Sequence, residues 1–321
     1  MRRLLLCLVA ALVAIISVPS ALADGGPLTV VSGGSGIVGG TTRYVPVDDP
    51  VSGDTELLAI STRDGTELNQ LGLVGEWGFP YTPAGAEGLS HDGKTLVLAD
   101  SQSGFTSPST FLVVNPRRMQ LVRTITLRGY FSFDALSPNG SRMYLIQYAH
   151  GDSQDLTHYI VRGYDLRTNR LLRGRIADRS EHEEAMAGSP VTRTTSADGR
   201  WVYTLYQKPS GEQFIHALDT VGSAAYCIDL PRNRGLYGVL SLRNHDRTLA
   251  VYRPSGRPRL DVAVGSWRIS YPHGSFPWAW LVAGIGGGLA LLAAGALLLW
   301  RRRGRNSRST RDRSSGSRSV T

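Results

Sequence analysis

The side chains best suited to chemistry lie within one stretch of 35 residues: His150, Asp152, Asp155, His158, Glu181, His182, Glu183 and Glu184. Imidazoles and carboxylates together supply borderline and hard donors, so such a group could ligate a cation or hydrogen-bond a polar ligand. Asp152, Asp155, His158, His182, Glu183 and Glu184 are the candidate binding residues. A solvated loop is the plainer reading of them, and no metal or cofactor is assigned. His182-Glu183-Glu184 begins as a zinc-peptidase helix does, but Met186 stands where H-E-x-x-H needs its second imidazole. Ser180 with Glu183 three residues on reads instead as a capping box, its acidic residues placed where a helix N-terminus favours negative charge.

Other motifs fail on context. Gly34-Ser35-Gly36-Ile37-Val38-Gly39 fits G-x-G-x-x-G, yet Thr41, Thr42, Pro46 and Pro50 cannot continue the helix that a phosphate site needs behind the glycines. The segment is read as a lead-in to the first strand. Cys227, inside Ala224-Ala225-Tyr226-Cys227-Ile228-Asp229-Leu230, is a core residue of a strand rather than a nucleophile. His216 and Asp219 have the types for acid-base work but no partner nearby in sequence, and are read as ordinary strand residues. No catalytic residue is assigned.

What must position these groups is a β domain. Glycine and proline interrupt residues 24 to 277 too often for a helical period, while short runs of Val, Ile, Leu, Thr and Tyr recur between turn signals. One phrase returns: Ser52-Gly53-Asp54, Ser90-His91-Asp92-Gly93, Ser137-Pro138-Asn139-Gly140, Ser196-Ala197-Asp198-Gly199 and a degenerate Asn244-His245-Asp246, at spacings of 40, 47, 59 and 47 residues. Asp-Gly and Asn-Gly tolerate the positive φ of a tight turn, and the alternating apolar residues beyond them predict a half-buried strand. A second hairpin follows, as from Phe111-Leu112-Val113-Val114 through Arg117-Arg118 into Leu121-Val122-Arg123-Thr124-Ile125. Four strands per unit and a period of about 40 to 50 residues are the arithmetic of a propeller blade.

From Val113 to Leu145 the phrases Val-Val-Asn-Pro, Leu-Val-Arg-Thr-Ile and Leu-Ser-Pro-Asn-Gly-Ser-Arg-Met-Tyr-Leu follow in the order of the WD40-like or YVTN-type β-propeller repeats of bacterial envelope proteins, which the chain resembles. Looser copies extend the resemblance over about residues 53 to 255. It implies an all-β propeller of about five four-stranded blades, with six as the upper count, although the WD dipeptide is lacking and six or seven blades are commoner. A β-sandwich is the alternative, since it uses similar turns. The resemblance implies a binding or scaffold surface for a protein or glycan on the loop face. The rival is a propeller-type hydrolase or lactonase, whose site gathers polar groups from several blades around the axis. Here the polar cluster comes mainly from one repeat, which favours binding.

Two apolar stretches give the address. Leu4 to Val18, with Arg2 and Arg3 ahead and Ala21-Leu22-Ala23 behind, reads as a secretory signal over residues 1–23. Residues 278–300 carry no charge and are followed at once by Arg301, Arg302 and Arg303. The 22 residues from Ala279 would rise about 33 Å as a helix, enough to cross a hydrocarbon core of about 30 Å. Eight arginines in residues 301–321 predict a basic, disordered cytoplasmic tail, leaving residues 24–277 outside and the protein in the cell membrane as a single-pass chain. Gly284 and Gly288 form a G-x-x-x-G pair that would let two spans approach closely, so homodimerisation is a candidate partnership. The net charge of +9 belongs to the two ends: residues 24–277 hold 25 basic and 25 acidic side chains, which excludes nucleic acid as a partner there.

Overall fold

The computed structural model describes residues 30–31, 36–101, 106–149, 159–179, 187–231, 241–245, 247–253 and 255–271. Among them every regular element is a strand, and all the strands lie in one compact unit that ends at Ser270. The expected signal, membrane span and tail lie outside the described residues. So do Asp152, Asp155, His158, His182, Glu183 and Glu184, together with the capping box.

A short β1 (Val30–Val31) is followed by the first sheet: β2 (Ile37–Gly39), β3 (Thr42–Asp48), β4 (Thr55–Ser61) and β5 (Glu67–Leu73). The second comprises β6 (Trp77–Thr82) with a hairpin partner β7 (Gly85–Ala86), then β8 (Leu96–Asp100), β9 (Ser109–Asn115) and β10 (Gln120–Leu127); β1 pairs with β6 at its inner edge. The third is β11 (Tyr130–Leu136), β12 (Arg142–Tyr148), β13 (Tyr159–Asp165) and β14 (Arg170–Leu171). The fourth is β15 (Ser189–Thr195), β16 (Trp201–Gln207), β17 (Gln213–Asp219) and β18 (Ala224–Asp229). The fifth is β19 (Ser241–His245), β20 (Thr248–Tyr252), β21 (Pro258–Ala263) and β22 (Ile269–Ser270). Every pairing is antiparallel between neighbours in sequence apart from β1–β6 and β6–β8, so each sheet is a meander and the five follow in chain order, in place of the two facing layers of a sandwich.

Side chains alternate across a strand, and here both faces are covered. Leu96, Leu98, Leu112 and Val114 pack on Tyr44, Leu57 and Leu73 of the first sheet. Their neighbours Val97, Ala99, Phe111 and Val113 pack on Phe131, Phe133, Met143 and Leu145 of the third. Ile146, Tyr148 and Tyr159 meet Tyr206 and Phe214 of the fourth, whose other face meets Leu249, Val251, Leu260 and Val262 of the fifth. The half-buried second strand expected from alternation is therefore corrected. Leu96-Val97-Leu98-Ala99 is an unbroken apolar run because neither of its faces meets water. Only outer strands such as β5 are largely exposed.

Three of the repeated phrases close one and the same turn. Gly93, Gly140 and Gly199, at φ 64°, 62° and 72°, each donate an N–H to the carbonyl of the serine three residues before. Each serine hydroxyl donates to the Asp or Asn side chain, at 2.7, 3.1 and 2.6 Å from Ser90, Ser137 and Ser196. Each serine oxygen also accepts the N–H five residues on, from Thr95, Arg142 and Trp201. These turns join the first and second strands of their sheets. Ser52-Gly53-Asp54 does not: it joins β3 to β4 around Asp49, so the first copy is corrected to Gly40 in the β2–β3 turn, 53 residues before Gly93. A Cβ on Gly140 would sit 2.2 Å from Thr95 Oγ1 of the second sheet. Gly140→Ala is expected to lose roughly 2 kcal/mol from combined φ strain and overpacking, read from the urea midpoint of the full chain in detergent.

A further device recurs at the start of the third strand in the first three sheets. Thr55 donates to Gly75 O at 3.0 Å and accepts from Trp77 N at 2.8 Å; Ser109 donates to Gly129 O at 3.1 Å and accepts from Phe131 N at 2.8 Å. Tyr159 takes this place in the third sheet, its hydroxyl 3.3 Å from Gly188 O. Each ties its sheet to the strand that opens the next.

Candidate functional site

Three charged residues meet where the innermost strands of successive sheets approach one another. Aligned on their turn glycines, the repeats place Glu87, Asp134 and Arg193 in one column, each six residues ahead of Gly93, Gly140 and Gly199. Equivalent positions on three successive sheets thus meet in space. Arg193 Nη1 lies 2.9 Å from Asp134 Oδ1, its Nη2 donates to the Asp134 carbonyl, and its Nε lies 3.5 Å from Glu87 Oε1. Contact between the second and fourth sheets, with the third between them in the chain, requires the inner edges of all three to converge. Gly199 confirms it, since a Cβ there would come within 2.8 Å of the His91 Cβ. Asp134 sits at a register shift between Phe133 and Ala135, and a bulge is how a strand re-aims one side chain.

The three side chains differ in access. Those of Arg193 and Asp134 are 1% and 5% exposed, that of Glu87 is 23% exposed. Burial raises the Glu87 carboxyl above the ordinary range, Arg193 opposes this, and Asp134 adds to it. Burial works against the Arg193 charge, but the two carboxylates outweigh it and hold the guanidinium still more firmly protonated. Arg193 Nε nevertheless makes no aligned hydrogen bond among the described residues. One cation is shared by two acids, so with both carboxyls ionised the group carries one uncompensated negative charge.

Above it opens a cavity of about 220 Å³, lined from four sheets by Ile37, by Glu87 and His91, by Phe133, and by Thr195 and Val202. A wider cleft of about 640 Å³ adjoins it between the β2–β3 turn and the Ser90–Gly93 turn, with Tyr44 and Arg117 in its wall; the two share Ile37, Leu89 and His91. The polar groups gathered here come from three sheets, while the cluster expected within one repeat lies outside the described residues. Sequence reasoning missed all three charged residues. The signal was available: an acid inside Phe131-Ser132-Phe133-Asp134-Ala135-Leu136, a base inside β15, and their common distance from the turn glycine.

The other sequence candidates resolve as structure. Gly36 is followed by a strand, and its φ of 70° lets the backbone approach Tyr44 O where a Cβ would lie 2.3 Å away, so no helix N-terminus stands behind it. Asp219 accepts both Arg200 Nε at 3.0 Å and Nη2 at 2.7 Å, and also the amides of Val221 and Gly222. Burial works against its charge, but Arg200 and these amides outweigh it and hold the carboxyl low. Arg200 is half exposed but the Asp219 side chain is 8% exposed, so Arg200→Ala, which leaves that carboxylate only the Val221 and Gly222 amides, is expected to lower the urea midpoint. His216 is buried beside Tyr206, and its Nε2 finds no partner among the described residues. Cys227 is partly buried against the Tyr148–Tyr206 cluster rather than fully within it. Among the described residues no group of three or more His, Cys, Asp or Glu could hold a metal ion, and no helix is long and apolar enough to cross a membrane.

No family model and no curated protein matches the chain. Solved structures similar to it include Kuenenia stuttgartiensis hydrazine synthase, at TM-score 0.43 and 12% identity over 80% of this chain and 69% of that one. The β-propeller domain of Myceliophteria thermophila Cps50 (Swd1) gives 0.40 and 12%, over 71% and 62%. TolB from Acinetobacter baumannii gives 0.37 and 12%, over 71% and 53%. Likeness this distant assigns neither family nor activity.

Proposed function

We propose that this chain is a single-pass membrane protein whose external part is a propeller-type binding module, its sheets closing radially and its partner entering at the end that bears the Ser-x-Asp/Asn-Gly turns. The observation that carries the reading is the cavity where the inner edges of four sheets meet, on a rigid frame of turns that hold themselves by local hydrogen bonds. Such a frame positions a binding surface without reactive groups. The hydrolase reading has less support. Glycoside hydrolysis uses two carboxyls about 5 to 9.5 Å apart that both reach the substrate. At this axis Asp134 is 5% exposed and tied to Arg193, which leaves Glu87 alone accessible.

A photo-cross-linking residue in place of the exposed His91 is expected to give discrete adducts in intact cells, while the same residue at exposed Leu68, on the edge strand β5, gives none. Equal labelling at both positions would refute the assigned face. The export signal at residues 1–23, the span at 278–300 and the inward tail at 301–321 belong to the same proposal and have their own test. Protease added to spheroplasts is expected to destroy the domain and leave a C-terminal epitope on a short protected fragment. Loss of the epitope, or protection of the whole chain, would overturn the topology. Self-association through Gly284 and Gly288 is expected to drop sharply in a two-hybrid membrane reporter when both become Leu.

A further inference from the structure

The geometry points to a primary alkylammonium group, such as a lysine side chain, as the ligand of the axial cavity, with its charge on Glu87. This rests on the binding reading above and deepens it. Three observations converge. The walls are mixed, with Ile37, Leu89, Phe133, Leu136 and Val202 giving an apolar side beside His91 and Thr195, and no Lys or Arg lines the space. Of the charged trio Glu87 alone lines the cavity; its partner Arg193 is shared with the buried Asp134, and the Glu87 side chain remains accessible. The volume of about 220 Å³ takes one side chain, and the adjoining cleft of about 640 Å³ leaves room for the rest of a partner.

A lysine has the matching anatomy: a four-carbon stem for the wall and an ammonium that makes a charge-assisted hydrogen bond to a carboxylate. An anionic group would meet the uncompensated negative charge.

The test uses the full-length protein in detergent, titrated with Nα-acetyl-L-lysine methylamide, its norleucine counterpart and n-butylamine, followed by saturation-transfer NMR and calorimetry. The lysine derivative is expected to bind at least roughly tenfold tighter than the norleucine one, and Glu87→Gln to remove that advantage. His91→Lys changes an exposed residue at the mouth, so it keeps the fold while adding a positive charge, and is expected to weaken the lysine derivative about threefold or more. Butylamine binding as well as the lysine derivative identifies a free amine as the source; weaker butylamine binding identifies a polypeptide. Equal affinity for lysine and norleucine derivatives, no binding of any probe, or an unchanged affinity in both variants overturns the proposal. Adducts at residue 91 that persist in such a case leave the broader binding reading standing.

Discussion

Asp134→Ala is expected to remove about 3 to 5 kcal/mol of unfolding free energy, measured by urea denaturation of the full chain in detergent. The cost arises from what is left behind. Arg193 is 1% exposed; alanine removes the carboxylate that is the partner of Nη1 and keeps only the backbone carbonyl that accepts from Nη2, and the remaining carboxylate is Glu87 at 3.5 Å, without an aligned hydrogen bond. A buried guanidinium that loses its close carboxylate and keeps only the more distant, unaligned Glu87 costs more than the intact pair is favourable. The double variant Asp134→Leu with Arg193→Met is expected to recover most of the loss, because it removes both charges and returns apolar volume. Glu87 then stays partly accessible and can take up a proton, as its raised carboxyl already favours. A single variant within about 1 kcal/mol of the parent would mean that this trio does not tie the three sheets together.

The second large effect depends on pH. Burial pushes the His216 imidazole down to about 4, Asp134 and Asp178 pulling up and Arg193 pushing down. An unfolded histidine takes its proton near pH 6.5, so between pH 6.5 and 4 the unfolded chain binds more protons than the folded one. The contribution of His216 is therefore complete above pH 6.5 and declines as the pH falls toward 4. Between pH 7 and 4.5 the parent is expected to lose roughly 2 to 3 kcal/mol more than His216→Leu. Leucine gives up nothing at Nε2, which has no partner among the described residues. Glu87 acts in the opposite sense, its stabilisation present below the ordinary carboxylate range and lost as pH rises through its raised value. Since Glu87 is common to both proteins, the difference between them isolates the histidine. Parallel pH curves would show that the imidazole is protonated where it lies.

The turns and the pocket differ in how far they could be read. Ser90, Ser137 and Ser196 bond within five residues of themselves, so the phrase that spells the turn also contains every atom that closes it. Ser52-Gly53-Asp54 misleads for the same reason, as a tight turn of similar composition satisfies itself around Asp49 in another connection. The polar cluster favoured from the sequence lies outside the described residues, and the axis holds a different one. Apolar runs such as Leu96 to Ala99 announce burial but not how many faces are covered.

By itself the sequence determined the β class, the meander hairpins and the four-strand rhythm, because alternation and turn chemistry act over a few neighbouring residues. Tertiary structure alone decided which sheet covers each face, and that Glu87, Asp134 and Arg193 meet although 47 and 59 residues separate them. A charge inside a strand does not name its partner. That choice is made when the inner edges of successive sheets converge, where low dielectric makes an unpaired charge too costly to keep.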